Sequence, residues 1–221
     1  GLNASGRSGS LMTREALVAR KRTRVSQGIE SVTVPGALSG WAALLQQYGT
    51  LSLADALAPA IAIAENGFPV TPIIAGQWAD EVALLRRDAG ASATLLIDGQ
   101  RAPKVGEWFR NPDLAASFRL IAKKGPAALY GGELGKRVVA RVQALGGFLT
   151  LEDLKAQQAE WVEPISVPFA GYRVWELPPN NQGVAALEML RILEPYDLAS
   201  LGHNTAPYLH QLIEAKKLAF A

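Results

Sequence analysis

The apolar residues recur mostly at helical spacing, broken by a few runs that alternate like a strand. Gly1–Ser10, rich in Gly, Ser and Asn, reads as loop, and Thr13 is placed to cap a short helix from Arg14 to about Lys21. Val32, Thr33 and Val34, β-branched and halted by Pro35-Gly36, predict a strand over 31–34. Leu38, Trp41, Ala42, Leu45 and Tyr48 then form a helical stripe that Gly49 stops, and Ser52 caps a second helix over 53–65. In that helix Leu53, Leu57, Ile61 and Ala64 share a face, and Asn66-Gly67 ends it. A third helix is expected over 73–87, followed by a Gly/Ala/Ser linker and a strand at Leu95-Leu96-Ile97 entering the Asp98-Gly99 turn.

Asn111-Pro112 opens a helix whose face is Leu114, Phe118 and Ile121, stopped by Gly125-Pro126. Leu134, Val138, Val142 and Leu145 mark another, ended by Gly146-Gly147, and Thr150 with Asp153 forms a capping-box pattern. The period then falls from about 3.6 to 2. Ile165, Val167 and Phe169, then Tyr172, Val174 and Trp175, flank Ala170-Gly171 as a hairpin. The rigid stretch Leu177–Gly183 leads into a helix over 184–193, and a last helix follows Thr205-Ala206-Pro207. Many helices and few strands make the chain α/β or α+β, biased to helix.

Composition narrows the options. The 221 residues, 49% hydrophobic and 19% charged, describe an ordinary globular chain, and a net charge of +2 gives no case for a nucleic-acid or membrane-surface partner. No apolar run approaches the ~20 residues that span a bilayer. Without cysteine there is no disulfide, thiolate metal site or thiol nucleophile. The compartment, cytoplasm or periplasm, stays open.

Motifs for chemistry are sparse. His203 and His210 could share a helical face, but no carboxylate pair stands at metal-ligand spacing. Ser39 sits where a helix starts and reads as a capping residue rather than a nucleophile. Gly131-Gly132-Glu133-Leu134-Gly135 offers glycines before a helix but follows no strand, unlike a phosphate loop. Arg20-Lys21-Arg22-Thr23-Arg24 is a short basic cluster without interleaved aromatics, read as a solvated helix end.

Several blocks, in order, resemble the large-subunit region of the gamma-glutamyltransferase (gamma-glutamyltranspeptidase) family. They are Ser31–Trp41 with Ala64-Glu65-Asn66-Gly67-Phe68, Pro103–Glu107 with Asn111–Ala115, Gly125–Gly132, Gly146–Leu154, the paired strands from Trp161 to Val174, and Pro178–Gly183. Each alone is weak, since Gly and Pro punctuate every protein; their order over the whole chain is specific. The resemblance implies an αββα N-terminal-nucleophile hydrolase, cleaved autocatalytically into two subunits, which this chain helps to form with a second chain. Its threonine nucleophile, activated by its own α-amine, belongs to the small subunit, with backbone N–H groups as the oxyanion hole. The implied partners are thus that small subunit and a gamma-glutamyl or acyl-amide small molecule, with no cofactor. The eight threonines here all read as caps, strand or loop residues, so no catalytic residue is assigned in this chain. Residues 1–221 read as one domain fragment, beginning after the strand and helix that family members carry before this region.

The resemblance also exposes departures. Where typical members place an arginine that pairs with the α-carboxylate of the glutamyl group, a gap-free alignment puts Ser5, with Arg7 two residues later. Asn180-Asn181-Gln182 replaces the usual Pro-Ser-Ser. Both changes are similar to the branch grouped with cephalosporin acylases. Ser5, Arg7 and Asn181 are therefore the candidate substrate-binding residues. Arg7 either takes over the carboxylate or is an exposed loop charge, and Gly6 and Ser8 beside it suggest a loop free to re-aim it. The 178–183 loop either frames the active-site wall or is a strand-to-helix turn with Asn181 or Gln182 near the cap.

Overall fold

The computed structural model of the protein describes all residues from Gly1 to Ala221. In chain order its elements are β1 (Leu2–Asn3), α1 (Arg14–Ala19), α2 (Ala37–Tyr48), α3 (Leu53–Asn66), β2 (Phe68–Pro69), α4 (Pro72–Asp80), α5 (Val82–Leu85), α6 (Ala89–Leu95) and β3 (Trp108–Phe109). Then come α7 (Pro112–Lys124), α8 (Glu133–Ala144), α9 (Leu151–Lys155), β4 (Glu160–Trp161), β5 (Ile165–Phe169), β6 (Tyr172–Glu176), α10 (Gly183–Leu193) and α11 (Ala206–Ala219). The strands form three two-stranded ladders, β1–β4, β2–β3 and β5–β6, all antiparallel, so the helix-rich fold is α+β. No helix is long and apolar enough to cross a membrane.

Local chemistry accounts for most boundaries. Thr13, Ser52, Asn111, Thr150 and Thr205 each accept a backbone N–H of the first helical turn, satisfying a donor the helix cannot. Thr150 and Asp153 complete a reciprocal capping box. Ala170 and Gly171, at φ +48 and +82, form the two-residue hairpin turn whose twist matches its strands.

Other expectations are corrected. Only Thr33 of the 31–34 run pairs, in a single bridge to Ser8, while residues 29–31 form a 3₁₀ turn. β-branched residues favour a strand only beside a neighbour that continues the ladder, and Pro35 ends the run. The 73–87 helix breaks at Glu81 into α4 and α5. The Gly/Ala/Ser linker is α6, because Asp88 accepts the Ala91 N–H at 2.7 Å and nucleates alanine-rich helix. Leu95 ends that helix, and the expected strand shrinks to an Ile97–Arg101 bridge around the turn. The leading residues are no free loop: Leu2 pairs with Trp161 and Asn3 with Glu160. Finally, Trp41, Tyr48, Leu114 and Leu145, assigned to buried faces, are exposed.

The chain forms two compact units. The first comprises Gly1–Arg7, Val34–Ala43 and Gln157–Ala221. In it α10 packs against α11 and against the β5–β6 hairpin, burying Ala185, Leu187, Leu193 and Ala215. The 4–7 segment lies so close to residues 34–36 that a Cβ on Gly6 would stand 1.6 Å from the Val34 carbonyl oxygen. One on Gly36 would stand 1.9 Å from the Ala4 oxygen. Between these contacts Val34 N–H donates to Arg7 O at 2.9 Å. Gly6 is therefore a packing glycine that fixes the backbone, not the hinge its sequence suggests.

The second unit comprises Ser8–Thr33 and Leu44–Ala156. Here α3 packs along α7, and Val70, Ala75 and Phe109 form a core with Phe68, Trp78 and Leu95 against it. The Trp78 and Phe109 rings meet edge to face at 4.6 Å. The Asp153 carboxylate also receives the Ser10 N–H at 3.1 Å, tying residues 8–10 to α9. Partial burial pushes the Asp153 carboxyl up, but donors on Thr150 and Ser10 outweigh it and hold it below its ordinary range.

Two outcomes follow from these contacts. Gly6→Ala, measured by denaturant unfolding of the complete protein, is expected to cost about 1–3 kcal/mol, since a backbone oxygen cannot yield to the methyl group. Asp153→Ala is expected to cost about 1–2 kcal/mol at neutral pH through the lost cap. Because the folded-state pKa of Asp153 is depressed, its contribution is complete above the ordinary value of 3.8. It disappears as pH falls through the lower folded value, so unfolding curves of the two proteins should converge in acid.

Candidate functional site

All candidate substrate-binding residues lie in the first unit, on two stretches far apart in sequence. The β1–β4 ladder holds the first stretch: Gly1 N donates to Val162 O at 2.7 Å, and Val162 N–H returns a bond of 2.9 Å to Gly1 O. Beyond the ladder, the close approach at Gly6 and Gly36 sets the course of residues 4–7. Ser5 and Arg7 consequently project outward, both exposed, from a backbone that cannot shift.

The second stretch is the loop between β6 and α10. Pro178 and Pro179 stiffen it, and Gly183 closes it. A Cβ on Gly183 would fall 2.8 Å from the Glu176 Cβ, so the helix begins directly against the strand. Asn181 Oδ1 accepts the Gly183 N–H at 2.7 Å, which satisfies one of the free donors at the start of α10.

Side chains join the stretches. Asn3 Nδ2 donates to Asn180 Oδ1 at 2.8 Å, across 177 positions of sequence. Asn3 Oδ1 in turn accepts the Ser5 N–H at 3.0 Å. One chain of hydrogen bonds thus runs from Ser5 through Asn3 to the 178–183 loop, and brings Ser5 and the Asn180–Asn181 pair to one unit. Sequence reading missed Asn3, whose role depends on a strand pairing of two residues that leaves almost no periodic trace.

Arg7 stands apart from that chain. Its guanidinium is 89% exposed and lies 3.9 Å from Glu160, itself largely exposed. At that distance in water the pair is worth about 0–1 kcal/mol and yields readily to a better carboxylate.

The remaining candidates have local explanations. His203 lies beside Tyr208, ring centroids 6.0 Å apart, and no group of three His, Asp or Glu side chains is gathered for a metal ion. At the Gly131–Gly135 cluster, a Cβ on Gly135 would meet Leu129 O at 2.0 Å, so this glycine serves close packing. Arg20 and Arg22 both bind Glu30, whose carboxyl the Arg20 hydrogen bond holds below its usual range. Ser39 Oγ donates to Gly36 O at 2.7 Å inside the first turn of α2.

A family profile described as gamma-glutamyltranspeptidase matches residues 1–221. The glutathione hydrolase-like YwrD proenzyme of Bacillus subtilis is 41% identical over 99% of this chain and 41% of its own length. The acylase ACY 1 proenzyme of Pseudomonas sp. strain V22 is 44% identical over 88% of this chain and 35% of its own. Among solved structures, the cephalosporin acylase from Bacillus halodurans has a TM-score of 0.90 and 42% identity, covering 100% of this chain and 42% of that one. The chain thus spans about two fifths of the length of the curated relatives it matches.

The Asn181 bond makes a separate measurement possible. Asn181→Ala should lower the stability of the complete protein by about 0.5–1 kcal/mol in denaturant unfolding, the value of a neutral bond to a helix start.

Proposed function

The chain belongs to the gamma-glutamyltranspeptidase family, and from that premise we propose that it is the large-subunit part of an enzyme that cleaves gamma-glutamyl amides. In this reading a threonine hydroxyl on a partner chain attacks the amide carbonyl. The amine leaves with a proton, and water or an amino acceptor then takes the glutamyl group from the threonine. The present chain supplies no nucleophile. Residues 1–221 are one piece of the large-subunit region, and Ser5, Arg7 and Asn181 face the substrate.

The observation that carries the reading is the joining of the 1–7 segment to the 178–183 loop, in a chain matched to the family throughout. It gives a wall of neutral amides and one accessible arginine, suited to the polar end of an acyl group. A partner chain is supported by the apolar surface of the first unit, where Tyr172, Trp175, Leu218 and Phe220 are each more than half exposed.

A second reading, an acylase of the glutaryl-amide type, is favoured by the 44% identity to an acylase proenzyme. A glutaryl group keeps the carboxylate of a glutamyl group and lacks only its amino group, so Arg7 can meet either acyl group.

The test is turnover by the complete protein of gamma-glutamyl-p-nitroanilide against glutaryl-p-nitroanilide. Preference for the first supports the glutamyl reading, preference for the second the acylase, and cleavage of neither sinks both. Arg7→Ala is expected to lower kcat/KM on the glutamyl donor about ten- to a hundredfold, the value of one charge-assisted hydrogen bond. Glu160→Gln, which frees Arg7, should lower KM on the same donor.

A further inference from the structure

We propose that Asn180 is a specificity-determining residue whose NH2 group binds a carboxylate oxygen of the acyl group, and that Asn3 is the positioning residue that turns this NH2 outward. The proposal rests on the functional reading above and adds to it a residue and a polarity.

The polarity comes from one atom that has no choice. The Ser5 backbone N–H can only donate, so the end of the Asn3 amide facing it at 3.0 Å is the oxygen. The other end of Asn3 is then an NH2, which can only donate as well. It lies 2.8 Å from the Asn180 side chain, so the Asn180 atom that receives it is the oxygen. The relay runs one way, from Ser5 N–H through Asn3 to Asn180 Oδ1, and leaves the Asn180 NH2 at its outward end. An exposed asparagine ordinarily presents either end of its amide; here a main-chain donor removes the ambiguity.

The surroundings give the outward end its meaning. Asn180 and Ser5 are both exposed, and Arg7 stands two residues beyond Ser5 on the same pinned segment. The Asn180 NH2, the Ser5 hydroxyl and the Arg7 guanidinium are all groups able to donate to an anionic oxygen. Asn181 is set separately: its oxygen accepts the Gly183 N–H at the start of α10, while Asn3 reaches Asn180. The ligand that fits is a short acyl chain ending in, or carrying, a carboxylate.

Glutarate, the free acid of such a chain, is a suitable probe, and calorimetric titration of the complete protein reads its binding without requiring catalysis. Asn180→Leu should weaken glutarate about ten- to a hundredfold, as expected for losing a hydrogen bond to a charged oxygen. Asn180→Asp keeps the bond from Asn3 and the side-chain volume but makes the outward end an acceptor. It should weaken binding at least as much, which covers the case in which the leucine variant fails to fold. Asn3→Leu should weaken binding in the wild-type background and add little in the Asn180→Leu background, since Asn3 acts only through Asn180. Failure of the wild-type protein to bind glutarate, unchanged affinity in Asn180→Asp, or additive losses in the double variant would each overturn the proposal. Turnover of the two p-nitroanilides, followed in parallel, separates the questions. Binding that depends on Asn180 without turnover keeps this inference and sinks the functional reading, and turnover with no dependence on Asn180 does the reverse.

Discussion

Two backbones that touch with no room for a side chain set the terms for the candidate site. Gly6 against Val34 O and Gly36 against Ala4 O bring main chain to within the distance that only a Cα without a Cβ permits. The Val34 N–H to Arg7 O bond closes the same contact. This approach holds the backbone of residues 4–7, on which Ser5 and Arg7 lie exposed. The β1–β4 ladder extends the constraint by placing Asn3 where its amide reaches Asn180. A segment that composition marks as flexible is therefore among the most constrained in its unit.

The distribution of polar groups is consistent with this division between rigid backbone and adaptable side chains. No polar or charged residue is buried, so neither core depends on a paired interior charge. The ion pairs lie at the surface, including the bidentate Arg101–Glu107 pair, in which the arginine hydrogen bond foremost draws the glutamate carboxyl down to about 2. Such pairs reorganise at little cost in water. The Arg7–Glu160 pair is the loosest of them, and Arg7 combines a fixed main chain with a side chain free to turn. That is the arrangement a residue needs if it is to meet a ligand that arrives from outside.

The chain keeps the frame of its family. The frame is held over the whole length, with a TM-score of 0.90 to a cephalosporin acylase. Ser5 and Asn180-Asn181-Gln182, the stretches singled out in the sequence, are the ones that the Asn3 relay links. The relay starts from a main-chain N–H, so it persists whichever side chain stands at position 5.

Short-range chemistry is readable from the order of residues alone. Helix starts at Thr13, Ser52, Asn111, Thr150 and Thr205 were legible because a capping oxygen and the N–H it serves lie within three residues. The β5–β6 hairpin was legible because its period of two runs for five residues on each side of a two-residue turn. Ser5, Arg7 and Asn181 were legible only through a resemblance, and that is a statement about position, not about contact. The remainder follows from contacts between distant segments. Whether 31–34 becomes a strand depended on how far its neighbour at Arg7–Ser8 continues, and whether 1–10 is loose depended on Trp161 and Glu160, some 160 residues away. Gly6 reads as a hinge until a second backbone occupies the space its missing side chain leaves. Asn3 and Asn180 acquire roles only when pairing strands bring them within 2.8 Å. A hydrogen bond between residues so far apart has no counterpart in local periodicity, because it is set by the path of the whole chain between them.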